Sequence, residues 1–176
     1  THKLLRAIPE YKCPPFIEFT LSEIDKAFDF LKGLQCPAVV KPAEGTGGGR
    51  GVTTGIRNRV NLIQASVNAA VYAKELVIEE EVPGSSYRLL FLNGRYLHAV
   101  RRDAPSVVGD GKSSIRALVA YENEQRLKGE RITALSPLLI DLESVITLQS
   151  QSLSPRSVPK EGEVIRVKNV VNQNNA

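Results

Sequence analysis

The sequence holds no methionine, no tryptophan and only two cysteines in 176 residues, and aromatics make up 6%. Cys13 and Cys36 form no C-x-x-C pair and have no histidine nearby in sequence. They read as buried free thiols in a reducing cytosol, so a cytoplasmic protein is expected. No apolar run approaches the roughly 20 residues that span a bilayer, so no membrane partner is expected. The opening THKLLRAIPEYKC lacks the apolar stretch and small-residue cleavage site of a secretory signal, and it reads as an excised or processed start. Charge of one sign is also scarce: the net charge is +4. No Lys/Arg stripe interleaves with aromatics, so no nucleic-acid partner is expected. A modest positive balance does suit a small phosphate-bearing ligand.

What is present is ordinary for a soluble globular chain, with 42% hydrophobic and 24% charged residues. The length suits one medium domain or two small lobes sharing a crevice. A helical pattern over 2–13 is stopped by Pro14-Pro15. FIEF (16–19) reads as a strand. Thr20 and Glu23 form a capping box before Ile24, Ala27, Phe28 and Leu31 at helical spacing. PAVVKP (37–42) reads as a buried strand, followed by GTGGGRG (45–51) and the short strand VTTGI (52–56). Over 58–74, Val60, Ile63, Val67, Ala70 and Val71 share one helical face. LVIEEEV (76–82) is a strand ending at Pro83-Gly84. Beyond it, YRLLFL and RYLHAVRR flank Asn93-Gly94, a strong hairpin signal. Ser113 or Ser114 caps a helix bearing Ile115, Leu118 and Val119. Two short helices and a proline-containing loop are expected over 133–159, then a strand in GEVIRVKNVV (162–171). The pattern implies two α+β lobes with a seam near Pro83-Gly84, not a doubly wound parallel sheet.

Two nucleotide motifs fail. GDGKSS (109–114) looks like the end of a Walker A loop, but the required earlier glycine is Ser106. The run at 45–51 has Arg50 where G-x-G-x-x-G needs its third glycine. What survives is KPAEGTGGGRGV, a lysine closing an apolar strand, then a glycine loop returning into another strand. Such a loop turns several backbone N–H groups onto phosphate oxygens, with Lys41 and Arg50 adding charge. A plain flexible hairpin tip is the other reading. The glutamates of LVIEEEVPG repel one another unless donors or cations approach them; they serve a ligand hinge or form a solvated edge. Arg88, Arg95, Arg101 and Arg102 line the hairpin, either as solvated charge or facing a site. Alternation lets only one of Arg101 and Arg102 face a given site. His2 and His98 carry no ligand spacing and read as structural or surface residues.

In this order the pieces resemble the ATP-grasp superfamily. The match is carried by Lys3 in THKLL, VVKP (39–42), GTGGGRGV, VIEEEVPG (77–84), YRLL, and RRDAPSVVGDGKSSIRAL (101–118). VVGDGKS after an arginine-bearing strand, with GEVIRVKNVVNQNN (162–175), is similar to the group around cyanophycin synthetase and the fused bacterial glutathione synthetases. The resemblance implies an α+β ATP-grasp fold with a nucleotide crevice between an N-terminal lobe (1–83) and a C-terminal lobe (84–176) that is incomplete. It implies ATP and Mg²⁺ as cofactors, with Lys3 and Lys41 on the phosphates and Gly47, Gly48 and Gly49 covering them. Glu80 and Val82 match the adenine hinge, and Glu79 leads into it. Ser86 stands where relatives place an acidic residue for the ribose. Arg88 and Arg102, with Lys168, Asn172 and Asn174, match basic or polar positions facing the transferred phosphate or the acyl substrate.

The activity implied is that of an ADP-forming carboxylate–amine ligase working through an acyl phosphate. Its partners are small-molecule or peptide carboxylate and amine substrates, and self-association is compatible with the family. The family's metal ligands lie on a later strand as an acidic residue and a Glu-x-Asn pair. No metal ligand is therefore assigned, and the chain alone is not expected to complete the reaction. Two alternatives stay open: a non-catalytic nucleotide-binding or regulatory module, and an ATP-grasp carboxylase or kinase with another acceptor.

Overall fold

The computed structural model describes residues 13–128 and 136–171. The helix read over 2–13 lies almost wholly outside them. Strand β1 (Phe16–Phe19) leads through a turn of 3-10 helix, Leu21–Glu23, into α1 (Ile24–Lys32). The capping box forms: the Thr20 N–H donates to Glu23 Oε2 at 2.9 Å, which holds the Glu23 carboxyl below its ordinary range. Then come β2 (Ala38–Pro42), β3 (Thr53–Ile56), α2 (Arg59–Ala70) and β4 (Leu76–Glu80). The four strands make one antiparallel sheet in the order β1-β4-β2-β3. Alternation along β2 buries Ala38, Val40 and Pro42 and turns Val39 and Lys41 to the other face. A first core gathers Phe19, Leu31, Val40, Ile56, Leu62, Leu76 and Ile78 on this sheet.

Helix α2 corrects the apparent meaning of its apolar stripe. Val60, Ile63, Val67 and Val71 do share a face, but that face points outward, with Val71 76% exposed. The buried side is Leu62, Ala65, Ser66 and Ala69. Small side chains at 65, 66 and 69 let the helix lie close to the sheet, where a row of branched residues would hold it away. The Ser66 hydroxyl is satisfied within the helix, donating to Leu62 O at 2.8 Å. Asn58 caps α2, its side chain accepting from Asn61 N at 2.8 Å. Asn58→Ala is expected to cost about 1 kcal/mol of stability, read as a lower urea midpoint at unchanged slope.

The hairpin forms as read: β5 (Ser86–Leu92) and β6 (Arg95–Arg102) pair antiparallel around Asn93 (φ 49) and Gly94 (φ 75). A strand not anticipated follows, β7 (Ser106–Val108), and then α3 (Ile115–Lys128). One helix, α4 (Leu142–Ser150), occupies the described part of 133–159 where two were expected. Of the strand expected over 162–171, only β8 (Val164–Arg166) is extended and paired, antiparallel with β7. A second core joins Val107, Ile115, Val119, Leu138, Leu148, Ile165 and Val167. Helix α4 is shared: Ile146 enters the first core and Leu148, on its opposite side, the second. Both thiols are free but only half-buried, a correction to the fully buried cysteines expected.

Candidate functional site

The loop between β2 and β3 overhangs a cleft of about 1010 Å³. Its walls are residues 47–52, Asn68 and Tyr72 on one side and Arg88, Arg102, residues 136–139, Asp141, Glu143, Lys168, Val170 and Val171 on the other. The root of the loop is rigid. Gly51 (φ +71) packs so closely that a β-carbon there would meet Tyr72 Cδ2 at 2.7 Å and Pro42 Cγ at 2.9 Å. The tip is open, because nothing lies within 4 Å of a β-carbon built at Gly47 or Gly48. A glycine tip with open space around it lets backbone come close to an anion.

Four cationic side chains share the cleft: Arg50 from the loop itself, and Arg88, Arg102 and Lys168. Arg102 donates through Nη2 to Ser86 Oγ at 2.9 Å, while its Nε is buried with no hydrogen-bond partner among the described residues. An unmatched buried donor costs about 1–3 kcal/mol, which an anionic acceptor would offset. Its neighbour Arg101 points away and pairs with exposed Asp103 at 2.9 Å, which raises the Arg101 pKa. Lys168 is held by Asp141, which also caps α4 through Ser144 N at 3.1 Å.

The successive glutamates each find a donor. Lys41 and Glu79 are diagonal neighbours across β2 and β4, and Nζ donates to Glu79 Oε1 at 2.6 Å. Glu80 accepts from Cys36 Sγ at 3.2 Å, and Glu81 accepts from Gly55 N at 2.8 Å. The solvated-edge reading of this stretch therefore gives way to a bonded one. Lys41, Glu79, Glu80, Val82 and Ser86 are not among the residues lining the cleft, and Val82 is 66% exposed. The structure thus groups the glycine loop with Arg88, Arg102 and Lys168, and leaves the remaining described candidates outside the cleft lining. Lys3, Asn172 and Asn174 lie outside the described residues.

The Cys36–Glu80 contact has a chemical consequence. The carboxylate that accepts the thiol proton raises the Cys36 pKa. In a Cys13→Ser background, Glu80→Gln is expected to speed iodoacetamide alkylation of Cys36 at mildly alkaline pH. An unchanged rate would show that Glu80 does not hold the thiol.

Sequence reasoning missed Asn68, Tyr72, Asp141 and Glu143. Asp141 ahead of Ser144 and an apolar run is a cap signal that could have been read; Glu143 carried none. Among the described residues no group of three His, Cys, Asp or Glu side chains is placed to hold a metal ion. The cleft's own carboxylates are engaged by protein donors, so they do not fit as magnesium ligands. The orphaned Arg102 donor, the open glycine tip and the cationic wall do fit a polyphosphate.

A glycine loop on an antiparallel sheet, facing a basic cleft, agrees with the ATP-grasp fold. No protein-family model matches the chain. Against curated proteins it is 28% identical over 162 residues to the glutathione biosynthesis bifunctional protein of Pasteurella multocida, covering 90% of this chain and 21% of that protein. It is 29% identical over 153 residues to the cyanophycin synthetase of Crocosphaera subtropica, covering 85% of this chain and 17% of that one. The chain is therefore a relative of the ATP-grasp ligases in the group that holds these two proteins. The crystal structure of the Pasteurella multocida bifunctional glutathione synthetase aligns over 97% of this chain and 23% of its own, with 26% identity and a TM-score of 0.41. The chain spans about a fifth of the length of these relatives.

Proposed function

We propose that the chain is the ATP-binding part of an ADP-forming ligase that joins a carboxylate to an amine. The observation that carries the proposal is the meeting of an open glycine tip with Arg88, Arg102 and Lys168 in one cleft. The two hydrophobic cores are the two lobes, divided near Pro83-Gly84, and α4 is the element they share.

A carboxylate is a poor electrophile, and ATP activates it: a carboxylate oxygen takes the γ-phosphoryl group and ADP departs. The amine then attacks the acyl carbon, the C–O bond to phosphate breaks, and the amine proton is lost as the amide forms. The transfer needs positioning and charge neutralisation more than covalent help from the protein. Loop amides of Gly47, Gly48 and Gly49 cradle phosphate oxygens, and Lys41, held near the loop by Glu79, adds a point charge. Lys3 acts beside it. Arg88 and Arg102, with Lys168, Asn172 and Asn174, neutralise the acyl and phosphoryl oxygens. Glu79, Glu80 and Val82 form the adenine edge and Ser86 lies at the ribose. Mg²⁺, when bound, would supply charge neutralisation; its protein ligands are not assigned to the described residues. A tip with free space around it can close over the site and keep water from the activated acyl group. The free thiols Cys13 and Cys36 support a cytoplasmic setting.

A second reading, a nucleotide-binding module without transfer chemistry, is favoured by the engagement of Asp141 and Glu143 with protein donors. Isothermal calorimetry with ATP and Mg²⁺, then with ADP, tests both. Saturable ATP binding supports the nucleotide site, and no heat from folded protein would overturn it. Phosphate release with candidate acids and amines separates ligase from module, since a module binds ATP and releases none.

A further inference from the structure

Glu143 is the most buried charged residue among the described residues, at 4% exposure, and no step of the proposed transfer uses it. It sits in the first turn of α4, on the cleft wall. Its Oε2 accepts from Thr54 N at 2.7 Å. Its Oε1 accepts from Thr54 Oγ1 at 2.8 Å, Thr147 Oγ1 at 3.4 Å, and the backbone N–H groups of Asn169 and Val170, each at 3.2 Å. A carboxylate offers about four lone-pair positions; Oε1 is fully taken by protein donors and Oε2 is held by the Thr54 amide, so the group is bonded mainly to the protein itself. The partners come from two places. Thr54 lies on β3, the strand that leaves the glycine loop. Asn169 and Val170 follow Lys168 directly.

We propose that Glu143 is a positioning residue that ties the glycine-loop strand to the Lys168 segment and thereby sets the width of the cleft. A buried carboxylate is tolerated only while its donors are in place, so Glu143 couples the two walls directly, whereas Asp141 and Gln151 tie the 166–168 segment only to α4. Packing alone does not do this, because α4 touches the first core through Ile146 and the second through Leu148 and could slide between them. Glutamine at 143 keeps the volume but has one carbonyl oxygen. It can accept from Thr54 or from the 169–170 amides, and its NH₂ then faces donors on the other side.

The test is a distance distribution by paired spin labels on exposed Gln64→Cys in α2 and Arg156→Cys after α4, in a Cys13→Ser, Cys36→Ser background. The parent is expected to give a single narrow distribution. Glu143→Gln should raise the population of wider states about tenfold, the size expected from one lost set of charged hydrogen bonds. Thr54→Val removes only the hydroxyl bond and should give a smaller change in the same direction. Should Glu143→Gln fail to fold, Thr54→Val decides. Asn58→Ala, destabilising but neither lining the cleft nor bonded to Glu143, should leave the distribution unchanged. The parent distribution in folded Glu143→Gln, or in Thr54→Val if that variant alone folds, would overturn the proposal. Equal broadening in Asn58→Ala would also overturn it. No nucleotide is present, so the outcome is independent of what the cleft binds.

Discussion

Lys41→Ala is expected to weaken ATP·Mg²⁺ binding about 10- to 100-fold, the worth of one charged hydrogen bond. Two effects act in the same direction. The substitution removes a cation one residue from the end of β2, where the chain turns into the glycine loop. It also takes from Glu79, whose side chain is 13% exposed, the ammonium that it binds at 2.6 Å. That carboxylate then adds repulsion toward a polyphosphate in a poorly solvated place. Adding Glu79→Gln to Lys41→Ala separates the two. It should recover part of the thermal stability but little of the affinity if Lys41 meets phosphate directly. Calorimetry with ATP and with ADP, alongside thermal melts, provides the comparison. Unchanged ATP affinity in folded Lys41→Ala would remove this lysine from the proposal.

Among the described glycines, Gly109→Ala is expected to be the most destabilising substitution, by about 2–3 kcal/mol. A β-carbon at this position would lie 2.2 Å from Lys160 O and 3.0 Å from Pro159 Cβ and Cγ. The backbone cannot step aside cheaply. Gly109 N donates to Glu163 O at 2.8 Å, and Gly162 N donates to Gly109 O at 2.9 Å, so both flanks of the clash hold the β7–β8 pair. Asp110 tightens the same turn by accepting from Lys112 N, Ser113 N and Ser113 Oγ, which brings its pKa down to about 2. VVGDGKS is thus a structural clasp for the second core. A fall in melting temperature of about 5–10 °C is expected for a chain of this size. Gly47→Ala supplies the contrast: with open space and no positive φ, it should leave the melt within about 0.5 kcal/mol of the parent. A Gly109→Ala melt equal to the parent's would show that this clasp is not under steric constraint.

Much of the fold was legible because it depends on neighbours in sequence. Asn93-Gly94 adopts positive φ at both positions, and alternation in AVVKP sorts Lys41 from Val40. The Thr20–Glu23 box starts the first helix. Strand β7 was missed because its three residues carry no pattern of their own, whereas β8 was expected within 162–171 and is extended only where it pairs with β7. At the site, the glycine loop, Arg88, Arg102 and Lys168 could be singled out by type and order. Their convergence on one cleft could not.

The sequence by itself determined the local elements, the turns and the residue types able to meet a phosphate, since these follow from backbone sterics and contacts a few residues long. Only the tertiary structure decided which side of α2 faces the sheet, where close packing favoured Ala65, Ser66 and Ala69 over the more apolar stripe. It also decided that Arg102 and not Arg101 enters the cleft, and that Glu143 bonds Thr54 across 89 positions of chain. Those outcomes depend on which distant groups satisfy a buried donor or acceptor, and no local pattern encodes that.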